Sequence, residues 1–318
     1  MTDKVETAGR HEARPAPLSA VPPPTAHQGL VIGLSLLIGL AIAVLWSAQL
    51  VDDDIGVHVA NGILRQNAAS ANVTGTVTSL VFAFITGIAG TFTACNVAVF
   101  SAIAPMVGNR PSTTGRVGQA LRPLGWLTLA ALVVAGGYGA VGALVGSRLP
   151  QLSTETVGSN HIPVRLLQSI GVFGVIGLIM LYLGLGVLGI VPDPLARLTQ
   201  RWPPARQVVM SVLIGGFLIG RPWPLFFKIF QHAAGTHNAL LGAATFALVV
   251  IGNMVLMGML FLLLSVSHFP RWLRAKPGRT ATVSAVALLI GGAFVVVYWG
   301  IRAPAQFGLG WFPKMPWH

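Results

Sequence analysis

Apolar stretches of bilayer length recur seven times along the chain, at about 30–50, 79–107, 123–146, 164–191, 207–231, 238–265 and 281–301. A run of roughly 20 apolar residues is what an α-helix needs to cross a hydrocarbon core. Inside that core each backbone N–H and C=O must be satisfied by protein, so a chain of such runs folds into packed helices. Charged residues make up only 9 % of the sequence and hydrophobic ones 54 %, whereas soluble proteins carry roughly 25 % charge. The expectation is an all-α polytopic membrane protein with about seven spans.

Residues 1–28 mix charge with a Pro/Ala tract (Pro15, Pro17, Pro22, Pro23, Pro24) and read as a disordered tail. The first run starts late and lacks a clear cleavage site, so it reads as a retained leading helix followed by a polar segment, with 29–78 as one unit. Residues 79–301 form the membrane core. The aromatic, Pro-rich tail 302–318 is expected at the interface, as are Trp126, Trp202, Trp272, Trp299, Trp311 and Trp317.

The net charge of +12 points away from nucleic acid, because the basic residues sit between spans. Loops after the second, fourth and sixth spans hold Arg110, Arg116, Arg122; Arg197, Arg201, Arg206; and Arg271, Arg274, Lys276, Arg279. The positive-inside rule then places the N-terminus in the cytoplasm and the C-terminus outside. All eight acidic residues read as loop or tail residues, including the triplet Asp52, Asp53, Asp54, so the intramembrane carboxylate on which proton-coupled pumps commonly rely is missing.

The second run is the one built for chemistry. Its centre, Gly87-Ile-Ala-Gly90-Thr-Phe-Thr-Ala-Cys95-Asn96, holds small residues, hydroxyls, an amide and the single cysteine. Polar groups at that depth are costly and turn toward protein or a cavity. The fifth run is likewise interrupted, at Gly220-Arg221-Pro222-Trp223-Pro224. With the leading helix set aside, six spans fall into two triplets, each opening with a broken helix and running in opposite directions. That is the layout of a 3+3 inverted repeat, whose paired broken helices mark the working site.

On these residues the chain resembles the CcdA/DsbD transmembrane-domain family of thiol–disulfide electron carriers, over roughly 80–300. The anchors are Gly87-Ile-Ala-Gly90-Thr-Phe-Thr-Ala-Cys95 with Pro105 ten residues on, and Gly220-Arg-Pro222-Trp-Pro224 followed by Ala-Gly235-Thr-His-Asn-Ala-Leu-Leu-Gly242. The resemblance implies a role in cytochrome c biogenesis or transmembrane transfer of reducing equivalents in a bacterial cytoplasmic membrane. It also implies a thioredoxin-like or cytochrome c maturation partner. The family carries two Pro-Cys motifs. Here Ala94 precedes Cys95, and Trp223 stands about where the second cysteine belongs, so a two-cysteine relay cannot run inside this chain.

Cys95 therefore has two readings: an inert small hydrophobe, or a thiol forming a mixed disulfide with a partner. Thr91, Thr93, Asn96, Pro105, Gly220, Arg221, Pro222, Trp223 and Pro224 are the candidate lining residues beside it. Arg221 reads either as a cavity cation or as a snorkelling side chain at a helix end, and Lys228 as a snorkelling one. The kink made by Pro222 and Pro224 is expected to face the interior. Asn253 and Asn96 suit interhelical hydrogen bonds, and Thr86, Thr91 and Thr93 suit bonds back to helix carbonyls. His232 and His237 are too loosely spaced for a helical metal pair. No metal or other cofactor is expected. Beside the redox reading stand a small-solute or ion transporter, which would use the same broken helices, and a non-catalytic subunit of a membrane complex.

Overall fold

The structure, a computed structural model, describes residues 27–92, 116–153, 162–276, 278–313 and 315. Among the described residues it is all-helical, with five helices long and apolar enough to cross a membrane. The helices that place the site are α1 (Gln28–Leu45), α2 (His58–Leu64), α3 (Thr76–Ala89), α4 (Arg116–Val145), α5 (Val164–Val187), α6 (Ala205–Gly216), α7 (Pro224–Thr236), α8 (Ala239–Val266) and α9 (Arg279–Val297).

Helices α3, α6 and α7 have 14, 12 and 13 residues. At 1.5 Å per residue each spans only about 20 Å, well short of the roughly 30 Å hydrocarbon core. Helices α6 and α7 are two parts of one segment, interrupted where glycine and proline were read in the sequence, and α3 ends in the turn Gly90–Phe92.

Four of the remaining helices, α4, α5, α8 and α9, pack as two antiparallel pairs held by glycine. Between α4 and α8, Gly139 lies against the Gly242 carbonyl near one end and Leu124 against Gly258 near the other. Between α5 and α9, Gly177 meets the Gly292 carbonyl and Gly184 the Ala285 carbonyl. Helix α3 packs on α8 where Gly87 meets Val249 and Gly252 meets Phe84, and α6 packs on α4 where Gly215 meets Ala131 and Val134. Without a hydrophobic force between helices in lipid, close backbone approach at small residues supplies the packing. Gly171 and Gly174 do not take part, since a methyl on either would meet nothing within 4 Å. Gly177 and Gly184, seven residues apart, carry that seam.

Helix α1 lies along α9 and runs parallel to it. Gly39 sits on Ile290 and Ala293, Arg302 Nη1 donates to the Ala43 carbonyl at 2.6 Å, and Gln28 Nε2 donates to the Leu188 carbonyl at 3.2 Å. Its start therefore shares one face of the bundle with the end of α5 and the start of α9. Arg197, Arg201, Arg206 and Arg279 belong to that face; Arg206 pairs with Asp193 and Arg279 covers the Trp272 ring at 4.3 Å.

Two expectations change here. The polar segment after α1 is not a free loop: Gln49–Val57 continues as a wide helical turn into α2, so the acidic triplet lies on a packed element. Val57, Ala60 and Leu64, spaced three and four apart, face the core and hold it there. Trp299 is not an interfacial residue. It is 6 % exposed and its ring lies tilted against Phe173, with centroids 4.5 Å apart, whereas Trp202, Trp272 and Trp311 are exposed. Trp317 lies outside the described residues.

Candidate functional site at the junction of two breaks

The interruption after α6 runs from Phe217 to Trp223 and turns at Gly220, whose φ of +79° favours glycine. A methyl there would also press on Gln168 and Ser169 of α5 at 3.3 Å. The chain then passes through Arg221, Pro222 and Trp223 before Pro224 opens α7 at its first turn, where a missing N–H costs nothing. The side chains alternate. Arg221 and Trp223 are buried, at 3 % and 4 % exposure, while Pro222 and Pro224 stand exposed on the other side. The two prolines shape the break and do not line its buried face, contrary to the interior-facing kink expected from the sequence.

Arg221 carries the link between the two breaks. Its Nη2 donates to the Gly90 carbonyl at 2.7 Å, in the turn Gly90–Phe92 that ends α3. The guanidinium lies 5.4 Å from the Trp223 ring centroid and 5.9 Å from that of Phe226, within the range of cation–π attraction. A methyl on Gly90 would stand 2.9 Å from Nη2, so the guanidinium would have to shift to admit one. Of the two readings of Arg221, snorkelling is excluded by its burial. Lys228 Nζ donates to the Ala69 carbonyl at 2.8 Å and the Ala68 carbonyl at 3.4 Å, capping the turn after α2.

The backbone groups freed by the break are met by side chains that sequence reading missed. The Gly220 N–H donates to Gln151 Oε1 at 3.1 Å, and Gln151 Nε2 donates to the Arg221 carbonyl at 3.1 Å. The Ser169 hydroxyl donates to the Gly220 carbonyl. The Tyr138 hydroxyl donates to Gln151 Oε1 and accepts from Gln168 Nε2 at 3.3 Å. Gln151 is fully buried although it lies in the loop between α4 and α5. Nothing in one sequence separates such a glutamine from a solvated one. Tyr138 and Ser169 inside apolar spans were the available cue.

From the other side, Gly56 of the segment Gln49–Val57 packs on the site, where a methyl would stand 3.2 Å from Trp223 and 3.5 Å from the Ala89 carbonyl. Thr91 is buried and bonds back to the Gly87 carbonyl at 3.3 Å, one of the roles expected for it. Asn253 is 7 % exposed on α8 beside Gly87. Cys95, Thr93, Asn96 and Pro105 lie outside the described residues. Among the lining residues read from sequence, the structure brings together Thr91, Gly220, Arg221 and Trp223 around Gly90. His237 ends α7 in a left-handed turn beside Gly146, away from this cluster.

The arrangement offers a buried cation beside two aromatic rings, where the break between α6 and α7 meets the turn that ends α3. Comparison of the chain with protein-family models, curated proteins and solved structures found no match.

Proposed function

We propose that the chain is a multi-pass membrane carrier built as a 3+3 inverted repeat, with its working site where the two broken helices meet. The carried species in this reading is a reducing equivalent, moved by thiol–disulfide exchange at Cys95 with a protein partner, as the resemblance to the CcdA/DsbD family implies. The observation that carries it is the bond from Arg221 in the second break to the Gly90 carbonyl in the first, five residues before Cys95. The antiparallel pairing of α4 with α8 and of α5 with α9 is what exchanging two inverted triplets would produce, and so supports the repeat. The arginine-bearing face is assigned to the cytoplasm of a bacterial inner membrane.

With one cysteine the exchange needs two partners. The Cys95 thiolate attacks an acceptor's disulfide, forming a mixed disulfide and releasing one acceptor thiolate. A thiolate of a donor dithiol then attacks the Cys95 sulfur, freeing the reduced acceptor. The donor's second thiol displaces Cys95 and closes the donor disulfide. The net change is one acceptor disulfide reduced and one donor dithiol oxidised.

The test is acid quenching of cells, alkylation of free thiols, and non-reducing gels of wild type and Cys95→Ser. A reductant-sensitive adduct that disappears in Cys95→Ser supports exchange. A thiol that stays reduced and unreactive until denaturation rejects it. The burial of Arg221 under Trp223 and Phe226 favours a second reading, transport of a small anion through the same junction. Solute flux in liposomes that survives Cys95→Ser and is lost in Arg221→Met would select that reading.

A further inference from the structure

We propose that the link between α5 and α6, residues 192–204, lies along the membrane surface and seats the phosphate of an anionic phospholipid between Arg197 and Arg201. Whether the protein carries electrons or anions has no bearing on this shelf, which needs only a chain that spans a bilayer.

Both ends of the link are tied to the ends of apolar spans. Past the end of α5 the chain turns at Gly189, whose φ is +75°, and folds back. Asp193 then lies against Gly186, where a methyl would stand 3.5 Å from the Asp193 Cα, and the Tyr182 hydroxyl donates to the Pro192 carbonyl at 3.2 Å. At the other end Trp202 meets Trp126 edge-on, with ring centroids 6.0 Å apart. Trp126 stands in the first turn of the apolar span that begins at Leu124, and Gly186 in the last turn of the span that ends at Val187. These two positions mark one edge of the apolar layer, and the link runs along that edge.

The short helix Ala196–Arg201 forms the middle of the link, with Leu195 buried at its start. Leu198 and Trp202 are exposed four residues apart, and so are Arg197 and Arg201. Residues at that spacing share a side of a helix, so an apolar strip stands beside a strip of two guanidinium groups. Such an element lies in the headgroup layer with its apolar side chains toward the acyl chains.

The charges name the lipid. Asp193 is the only acid in the link, and it is paired with Arg206. Arg279, on the same face, covers the Trp272 ring and donates to the Trp272 carbonyl at 2.7 Å. Arg197 and Arg201 have no ion-pair partner among the described residues. Like charges four apart disfavour a helix unless an anion lies between them, and the planar fork of arginine matches a phosphate.

The test titrates the purified full-length protein, in an uncharged detergent, with phosphatidylglycerol and reads lipid-bound protein by native mass spectrometry. Phosphatidylcholine of the same acyl chains and inorganic phosphate run beside it. Each basic residue near a surface favours anionic lipid about fivefold, so phosphatidylglycerol should bind about 25-fold more tightly than phosphatidylcholine. Arg197→Gln and Arg201→Gln should each weaken it about fivefold; both side chains are exposed, so neither change disturbs packing. Arg148→Gln, at the opposite end of α4 and about 30 Å away along its axis, should leave binding unchanged. Asp193→Asn keeps the acceptor for the Leu195 N–H but releases Arg206, and should tighten binding up to about fivefold. Equal affinity for the two lipids, or equal losses in Arg148→Gln and Arg201→Gln, would overturn the site. Inorganic phosphate that displaces the lipid at equal concentration would make it a site for a free anion and overturn the lipid assignment.

Discussion

The sharpest energetic claim concerns the α3–α8 seam. A methyl added at Gly87 would stand 2.2 Å from the Val249 carbonyl oxygen, and one at Gly252 would stand 2.2 Å from the Phe84 oxygen. An ordinary carbon–oxygen contact is near 3.4 Å, so either alanine forces the helices about 1.2 Å apart. A gap of that size forfeits roughly half of the dispersion energy of every contact along the seam. Overpacking of this kind costs typically about 3 kcal/mol, offset by about 1 kcal/mol from the better helix propensity of alanine. Gly87→Ala is expected to lose about 2 kcal/mol net, and Gly252→Ala about the same. The double variant is expected to lose about 3 kcal/mol and not 4, because the first methyl has already opened the space the second needs. Gly171→Ala and Gly174→Ala, which meet nothing within 4 Å, are expected to be neutral or to gain up to about 1 kcal/mol. Equilibrium unfolding in mixed micelles, followed by tryptophan fluorescence, reads all five. A Gly87→Ala protein as stable as wild type, or equal losses at Gly87 and Gly171, would refute the close-approach argument.

Three further outcomes follow from the same contacts. Ser169→Ala leaves the Gly220 carbonyl without its donor and should cost about 1–2 kcal/mol in the same unfolding assay. Arg302→Met removes the donor on Ala43 near the end of α1, where helix carbonyls lack intrahelical partners; a loss of about 2 kcal/mol is expected, with limited proteolysis in the chain after α1 as a second readout. Lys228→Met uncaps the turn after α2 and should cost under about 1 kcal/mol while speeding cleavage near residues 65–71; unchanged cleavage would show that the turn is held by other contacts.

Much of this site was legible. Glycine and proline at Gly220, Pro222 and Pro224 mark a helix break on steric grounds alone, and an arginine beside them at membrane depth calls for a reason. Which side of the break faced inward was not legible. Pro222 and Pro224 drew attention by type, yet the buried side chains are Arg221 and Trp223, because extended backbone alternates its side chains and packing chooses the phase. Gln151 was unreadable for a different reason. Its role depends on a loop folding back onto a segment 70 residues later. The acidic triplet at 52–54 suggested a solvated loop by charge, while the spacing of Val57, Ala60 and Leu64 carried the opposite signal.

By itself the sequence determined that the chain is helical and spans a membrane, because apolar runs of this length leave the backbone no other way to satisfy its polar groups. It also placed the interruptions, since glycine and proline act locally. The tertiary structure decided which glycines are contacts, which prolines are only corners, and that Arg221 reaches across to Gly90. Those outcomes depend on how helices distant in sequence are set against one another, and a residue's type carries no record of its neighbours in space.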